Sequence, residues 1–292
     1  MRVARAVTIG LAVVTLGAVD LITISAEQRG SGLGGQRGGS VGPRRGGTPT
    51  PGARRGGPFS SATASRIQSR SYVFPDTNEP MDYAVFVSTK VDKTKKSPLI
   101  IALHGLGMPP ALWLSRITDD AQDGGYIVAA PTGYNLQGWY GANGPDSGRG
   151  AVPNLGELSE KDVMNVLALM RKEFLIDDQR IYLLGQSMGG AGALYLGIKH
   201  RDIWAAVAAS APAIRTNLHS PDELEPARHL PMILVHGDAD PAVPVENTRP
   251  WAEKMKALKM TYEYRELRGV GHNAIQDGAR FIFAFFKTHV KP

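Results

Sequence analysis

Short apolar runs alternate with helix-forming segments between residues 65 and 292. The apolar runs have the length and composition of strands buried on both faces: "SPLIIALHG", "GYIVAAP", "IYLL", "IWAAVAASA" and "LPMILVHG". Segments with the spacing or composition of helices lie among them, at 110–122, 159–174, 191–199, 245–258 and 273–288. Because strands that alternate with helices build parallel sheets covered on both faces, the pattern predicts an α/β fold with a mostly parallel central sheet.

Two further features refine this picture. The runs "SYVF" and "MDYAVFVS" are separated by the turn-like "PDTNEP", and they predict an antiparallel pair at the N-terminal edge of the sheet. Ser159 is expected to cap the helix at 159–174, with Asp162 three residues further on. The glycine-rich segment 133–156 is too long for an ordinary connection, so we expect it to carry function.

The basic charge of the chain is confined to its first 60 residues. They hold eight arginines and two acids, whereas the remaining 25 basic and 25 acidic residues balance. Residues 1–26 combine two early arginines with an apolar stretch, which predicts a secretory signal peptide. An uncleaved membrane anchor is the alternative, but the 14 uncharged residues at 6–19 are fewer than the roughly 20 that span a bilayer. We therefore expect a secreted or periplasmic protein without a stable membrane span.

Residues 27–64 are predicted to form a disordered linker before a catalytic domain at 65–292. Residues 28–60 contain 12 glycines and 4 prolines and no apolar periodicity, so they cannot bury enough surface to offset chain entropy. Three Arg-Gly-Gly triplets in this segment resemble RNA-binding arginine–glycine sequences. A flexible basic tether that makes weak contact with an anionic envelope or polymer is the favoured interpretation behind an export signal.

The stretch "IYLLGQSMGGAGALYLG" carries the clearest chemical signal. A strand runs directly into a helix through Gly185-Gln186-Ser187-Met188-Gly189, a G-x-S-x-G pattern. Such a corner holds the serine at a helix N-terminus, where backbone N–H groups favour negative charge. Ser187 is therefore a candidate nucleophile, and a plain helix cap is the alternative. The chain has no cysteine, which excludes disulfides, thiolate metal sites and a cysteine nucleophile.

A serine hydroxyl needs a base and an acid partner to react at neutral pH, and both are found at other predicted strand ends. The chain order Ser187, Asp240, His272 is the order found on sheets of this kind. Asp238 is the rival for the acid. Five other histidines are rivals for the base. His219 and His229 are expected at the surface, His104 and His236 in His-Gly turns, and His289 at the end of the last helix.

Four motifs in this order, "LHGLG", "GQSMGG", "HGDADPAVP" and "GVGHN", resemble the α/β-hydrolase superfamily. The resemblance covers about residues 72–290 and is strongest to bacterial esterases of the polyhydroxybutyrate-depolymerase-like and feruloyl-esterase-like groups. It implies Ser187 as nucleophile, Asp240 as acid and His272 as base, with an oxyanion hole formed by the backbone N–H groups of Leu106 and Met188. No metal or organic cofactor is expected.

The substrate follows less directly from the residues. Trp113, Tyr134, Trp139 and Tyr140 either line an acyl or aromatic pocket or pack beneath the long segment. The leading hypothesis is an exported serine esterase that acts on a small or polymer-derived ester. The alternatives are a peptidase or thioesterase of the same fold, and a non-catalytic protein whose basic tail binds polyanions.

Overall fold

The structure, a computed structural model, describes residues 62–144 and 152–292. The predicted signal peptide at 1–26 lies outside these residues, as do nearly all of the predicted linker and positions 145–151 of the long segment. In the part of the chain that is described, no helix is long and apolar enough to cross a membrane.

Within the described residues, eight strands form one sheet in the order β1-β2-β4-β3-β5-β6-β7-β8. β2 pairs antiparallel with both β1 and β4, and the other neighbouring strands are parallel. The predicted mostly parallel sheet with an antiparallel N-terminal edge is confirmed. The strands are β1 (Gln68–Val73), β2 (Pro80–Val87), β3 (Ser97–Leu103), β4 (Ile127–Pro131), β5 (Ile176–Gln186), β6 (Ala206–Ser210), β7 (Met232–Gly237) and β8 (Tyr262–Leu267).

Helices cover both faces of the sheet, as the alternating pattern predicts. One face packs against α3, α4 and α5, and the other against α1, α2 and α6. The helices are α1 (Pro110–Leu114), α2 (Thr118–Gly124), α3 (Leu155–Glu173), α4 (Met188–Lys199), α5 (Arg249–Ala257) and α6 (Ala274–Thr288).

The central strands are apolar at every position because each face meets a helical layer. In β3, Leu99 and Ile101 belong to the core on one side and Ile100 and Ala102 to the core on the other, all without exposed surface. Burial of one such aliphatic side chain stabilises the fold by about 1.5–3 kcal/mol. The buried strands thus anchor the loops at the carboxyl edge of the sheet.

Two predicted helices are interrupted. The segment at 110–122 divides into α1 and α2, because Ile117 leaves the helical conformation (φ −127°, ψ 0°) and buries its side chain in the core. The segment at 245–258 begins with a 3₁₀ turn at Val245–Asn247, and α5 then starts beside Pro250. Proline has no N–H to donate, so it is tolerated in a first turn and not further along.

The prediction that Ser159 caps a helix is wrong. α3 begins four residues earlier, at Leu155, whose side chain is buried, and Asn154 stands at the N-cap in a left-handed conformation. Ser159 is fully buried inside the helix, and its hydroxyl accepts a hydrogen bond from the backbone N–H of Tyr140 at 3.0 Å. Ser159 therefore fixes the long segment that precedes its helix.

Asp162, one turn further along α3, also binds the backbone of the segment that follows β4. Its buried carboxylate accepts hydrogen bonds from the Tyr72 hydroxyl at 2.6 Å and from the N–H groups of Gly133 and Tyr134 at 2.6 and 3.2 Å. Burial raises the pKa of this carboxyl, although the hydrogen bonds oppose the increase. These contacts attach the segment after β4 to α3 beside the carboxyl edge of the sheet.

Candidate active site

Ser187 occupies a strained corner between β5 and α4. Its backbone has φ 57° and ψ −119°, a conformation that residues with a side chain rarely adopt. The corner is held by a hydrogen bond from the Ser187 N–H to the carbonyl of Ser210 at 2.9 Å. The side chain of Ser187 makes no capping hydrogen bond to α4. The helix-cap alternative is therefore wrong, and the hydroxyl is available for another partner.

The glycines of the G-x-S-x-G pattern permit this corner. A Cβ atom on Gly185 would lie 1.9 Å from the carbonyl oxygen of Gly189, so strand and helix could not pass this closely with any side chain there. A Cβ atom on Gly189 would lie 2.2 Å from the carbonyl oxygen of Leu103 at the end of β3. Both glycines are required by close backbone packing rather than by a positive φ angle.

Ser187, His272 and Asp240 lie together although they are far apart in the sequence. His272 Nε2 is 2.8 Å from Ser187 Oγ, and His272 Nδ1 is 2.7 Å from Asp240 Oδ2. The three groups come from the loops after β5, β8 and β7, which are neighbouring or nearby parallel strands with their carboxyl ends at one edge. The side chains form one hydrogen-bonded chain.

Asp240 is placed to remain ionised. Its side chain has no exposed surface, and burial alone would raise its pKa. Hydrogen bonds from the N–H groups of Val243 (3.0 Å) and Ala242 (2.8 Å), together with the one from His272, outweigh burial and lower the pKa. An ionised Asp240 accepts a hydrogen bond from the Nδ1–H of His272, which leaves Nε2 as the acceptor for the Ser187 hydroxyl.

Two contacts hold the loop that carries His272. The side-chain amide of Gln186, next to Ser187, donates a hydrogen bond to the His272 carbonyl at 3.0 Å. The guanidinium of Arg116 donates to the Asn273 side-chain oxygen at 3.0 Å. Gln186 thus couples the corner of the nucleophile to the loop of the histidine, a link that sequence reasoning missed because the two residues are 86 positions apart.

The rival residues have other contacts. Asp238 accepts a hydrogen bond from the N–H of Gly269 at 2.6 Å and joins two loops. His104 is buried between the carbonyls of Gly105 and Thr132, as expected for a structural turn. His229 is exposed, and His289 bonds to the Phe285 carbonyl at the end of α6. None of these side chains contacts Ser187.

His219 differs from its prediction as a surface residue. Its side chain is only 17% exposed, because Nε2 contacts the carbonyl of Ala142 and Nδ1 lies 3.0 Å from a Glu223 carboxylate oxygen. The histidine therefore connects the long segment after β4 with the region after β6. His236, expected to be part of a simple turn, contacts Asp240.

The two N–H groups expected to bind an oxyanion flank the serine. Met188 is the first residue of α4, and Leu106 belongs to the loop after β3. Among the described residues, neither N–H has a hydrogen-bond acceptor. A Cβ atom built on Gly105 would lie 3.5 Å from Cβ of Ser187, which places the start of this loop against the nucleophile. Its shape is fixed by hydrogen bonds from Gly107 to Leu136 and from Met108 to Gly105.

The four candidate substrate-binding aromatic residues separate into two groups. Trp113 and Tyr140 have no exposed surface, and the Tyr140 hydroxyl accepts a hydrogen bond from the His104 N–H at 3.0 Å. For these two the pocket hypothesis is wrong, because they are enclosed in the two cores. Trp139 is half-buried against one core. Tyr134 lines an open groove of about 520 Å³.

The groove at Tyr134 is bounded by the two loops that follow β3 and β4. Pro109, Pro110 and Leu136 form part of its wall, and the carboxylates of Glu79 and Asp82 lie at its edge. The Tyr134 hydroxyl donates a hydrogen bond to Glu79 at 2.6 Å. The Gly107 N–H donates to the carbonyl of Leu136 at 2.9 Å, so this wall of the groove is attached to the loop that carries Leu106.

The sheet order, the strained serine corner after β5 and the histidine and aspartate at nearby strand ends are those of the α/β-hydrolase fold. The fold implied by the four motifs is therefore confirmed. Residues 150–290 match a family described as phospholipase/carboxylesterase.

Known proteins similar to this chain include hydrolases of esters and thioesters, by their names. Acyl-protein thioesterase 1 of Gibberella zeae is 27% identical over 117 residues, which cover 39% of this chain and 50% of that protein. The chain spans about half the length, or less, of the curated relatives it matches.

Two solved structures illustrate the shared fold. A ferulic acid esterase of Anaeromyces mucronatus, in complex with ferulic acid, has a TM-score of 0.59 and 20% identity and covers 76% of this chain and 90% of its own. An S-formylglutathione hydrolase from Agrobacterium tumefaciens has a TM-score of 0.62 and 18% identity, and the match covers 78% of this chain and 96% of that protein.

Proposed function

We propose that this protein is an exported serine hydrolase that cleaves carboxylic esters through an acyl-enzyme. The observation that carries the proposal is the hydrogen-bonded chain from Ser187 through His272 to Asp240, with distances of 2.8 and 2.7 Å. The family match and the names of the similar proteins support the same chemistry. Export is proposed on the sequence of residues 1–26 alone.

In the proposed reaction, Ser187 Oγ attacks the ester carbonyl while Nε2 of His272 accepts its proton. The positive charge that develops on His272 is stabilised by the ionised Asp240, which also fixes the tautomer. The backbone N–H groups of Leu106 and Met188 bind the oxyanion, and loss of one such donor costs about 2.7–4 kcal/mol. His272 then protonates the departing alcohol and activates a water molecule that hydrolyses the acyl-enzyme.

We propose that the groove beside Tyr134 binds part of the substrate. One of its walls is hydrogen-bonded to the loop of Leu106, and the groove offers an aromatic ring and two proline rings to an apolar group. The carboxylates of Glu79 and Asp82 at its edge disfavour an anionic substituent. A small neutral ester, with an aryl or short acyl group, fits this combination.

Thioester hydrolysis is the second candidate function. Acyl-protein thioesterase 1 and the S-formylglutathione hydrolase act, by their names, on carbonyl carbons bonded to sulfur. The same serine, histidine and oxyanion donors serve either bond, because both reactions pass through an acyl-enzyme. Peptidase activity is favoured only by a shared fold, that of a putative dipeptidyl aminopeptidase IV from Bacteroides ovatus with a TM-score of 0.57 and 16% identity. A non-catalytic role with a polyanion-binding tail has no comparable observation in its favour.

The test compares the wild-type protein with Ser187→Ala on p-nitrophenyl acetate, a feruloyl ester, an acyl thioester and a short peptide. We expect ester turnover by the wild type and a loss of at least about a thousandfold in Ser187→Ala, with unchanged circular dichroism. Ser71→Ala, an exposed serine on β1, is the matched control and should retain full activity.

A fluorophosphonate probe gives a second readout that does not depend on the choice of substrate. Attack by Ser187 Oγ forms an oxygen–phosphorus bond and releases fluoride, so the adduct mass should appear on the peptide that contains Ser187. A folded wild-type protein that neither hydrolyses any substrate of the panel nor takes up the probe would refute the proposed function.

A further inference from the structure

His236 lies at the end of β7 and contacts the aspartate of the candidate site. Its side chain has no exposed surface. Nε2 is 3.2 Å from Asp240 Oδ2 and 3.1 Å from the carbonyl oxygen of Val243, and Nδ1 is 2.8 Å from the hydroxyl of Thr248. The imidazole is thus surrounded by three oxygen atoms, and each of them restricts where its proton can lie.

The surroundings determine the tautomer of His236. Nε2 faces a carboxylate and a carbonyl, which are both acceptors, so Nε2 must carry the hydrogen. Nδ1 then accepts a hydrogen bond from the hydroxyl of Thr248, whose side chain is also fully buried. Burial is the largest influence on His236 and lowers its pKa, which keeps the ring neutral near neutral pH.

Asp240 consequently receives hydrogen bonds on both of its oxygen atoms. Oδ1 accepts the N–H groups of Ala242 and Val243, whereas Oδ2 accepts Nδ1–H of His272 at 2.7 Å and Nε2–H of His236 at 3.2 Å. The two histidines therefore share one oxygen atom. The orientation of that oxygen is fixed from the side of β7 as well as by the backbone of its own loop.

We propose that His236 is a positioning residue that holds Oδ2 of Asp240 in line with His272 and moderates the basicity of that oxygen. The inference rests on the proposed function, because it concerns the same reaction. His236 contacts neither Ser187 nor the place where substrate would bind, and it acts through Asp240. The resulting chain runs from Thr248 through His236, Asp240 and His272 to Ser187.

A comparison with the other His-Gly turn, at His104, indicates that this role is specific to His236. His104 also ends a buried strand before a glycine, but its two ring nitrogens contact only the backbone carbonyls of Gly105 and Thr132 at 2.8 Å. That arrangement stabilises a turn and reaches no ionisable group. The two histidines are alike in sequence context and differ in what they bond.

Charged groups around His236 come from its own loop and from neighbouring elements. Asp240 lies in its own loop, and His272 precedes α6. Glu266 is paired with His236 on β8 and forms two hydrogen bonds with the guanidinium of Arg249 in α5. Removing the Nε2–H donor leaves Oδ2 with a single donor, which makes the carboxylate more basic. A more basic Asp240 stabilises protonated His272, so the acidic limb of the pH profile should move to higher pH.

The experiment measures kcat, KM and the pH dependence of kcat/KM on a p-nitrophenyl ester for the wild type, His236→Phe and His236→Gln. His236→Phe keeps the ring volume and removes the donor. We expect its kcat to fall about tenfold to a hundredfold, the loss typical of one hydrogen bond to a charged group, with KM nearly unchanged. His236→Gln retains an N–H donor toward Oδ2 and should lie close to the wild type in both kcat and pH profile.

Two further variants separate this role from simple packing. Thr248→Val removes the contact to Nδ1 and leaves the bond to Asp240, so it should lower the melting temperature without moving the acidic limb. If His236→Phe does not fold, His236→Asn replaces it, because this shorter amide reaches Thr248 and not Asp240.

The outcomes are distinct. A folded His236→Phe or His236→Asn protein with wild-type kcat and an unmoved acidic limb would overturn the positioning role. Absence of Ser187-dependent turnover in the wild type would instead refute the proposed function, on which this inference depends.

Discussion

Replacement of Gly189 by alanine should disrupt the candidate active site from within the backbone. A Cβ atom at this position would lie 2.2 Å from the carbonyl oxygen of Leu103 and 2.7 Å from that of His104. Carbon–oxygen contacts shorter than 3.0 Å essentially do not occur, so α4 and the end of β3 must separate by about 0.8 Å at the closest pair. The obstructing atoms belong to the backbone, and no side-chain rotation can relieve the contact.

The expected cost has two parts. Overpacking a core normally destabilises a protein by about 1–3 kcal/mol, and we expect at least the upper value here because two buried elements must move. The same movement separates the N–H of Met188 from that of Leu106, since they belong to α4 and to the loop after β3. A misplacement of about 1 Å can reduce turnover by about a hundredfold. We therefore expect losses in both the free energy of unfolding and kcat.

Urea unfolding and ester hydrolysis measure the two losses in the same preparation. Gly105→Ala is the matched control for stability, because its Cβ atom would lie 3.5 Å from Cβ of Ser187, an ordinary contact. It should change the free energy of unfolding by less than about 1 kcal/mol. If Gly189→Ala unfolds at the wild-type urea concentration and keeps the wild-type kcat, the close packing of α4 on β3 does not position the site.

Two further predictions concern pH and substrate binding. Burial lowers the pKa of both His104 and His236. Below about pH 6.5 the unfolded chain therefore binds protons that the native state excludes. As the pH falls, each histidine should reduce the free energy of unfolding by up to about 1.4 kcal/mol per pH unit. Urea titrations from pH 7.5 to 5.5 measure the slope, and a flat profile would contradict the prediction. Tyr134→Ala should raise KM for aryl esters with little change in kcat, because it removes the ring from the groove. Tyr134→Phe loses only the hydrogen bond to Glu79 and should leave KM unchanged. Equal KM values in the wild type and both variants would show that the groove does not bind substrate.

The parts of the fold that could be predicted from sequence are those fixed by local pattern and burial. "SPLIIALHG" predicts a strand because such a run has no polar face, and β3 has both faces covered. The corner at Ser187 was foreseeable for a similar reason, since only glycine at 185 and 189 lets strand and helix pass. Parallel strands then bring their carboxyl ends to one edge whatever lies between them.

The parts that could not be predicted depend on contacts between distant segments. Ser159 has the composition of a helix cap, but the loop at Tyr140 recruits its hydroxyl and the helix extends past it. Trp113 and Tyr140 have the chemistry of a binding pocket, yet burial in two cores takes both of them out of reach. In each case the local pattern permits two outcomes, and packing against a remote element selects one.

The local sequence of His236 also permits two outcomes, a structural turn or a contact with the acid, but here the spacing of neighbouring residues distinguishes them. The turns at 104 and 236 are both His-Gly, but the second is followed by Asp240 four residues later and by Thr248 eight residues after that. A tight turn after β7 returns Asp240 toward the ring, while the start of α5 brings Thr248 to its other nitrogen. Both ring nitrogens of His236 are therefore constrained, one by Asp240 and the other by Thr248. The spacing of these two residues from His236 thus sets which ring nitrogen carries the hydrogen. If that spacing sets the role, inserting one residue between 237 and 240 should abolish turnover while β7 and its pairing with β6 and β8 persist, because the strand ends at Gly237.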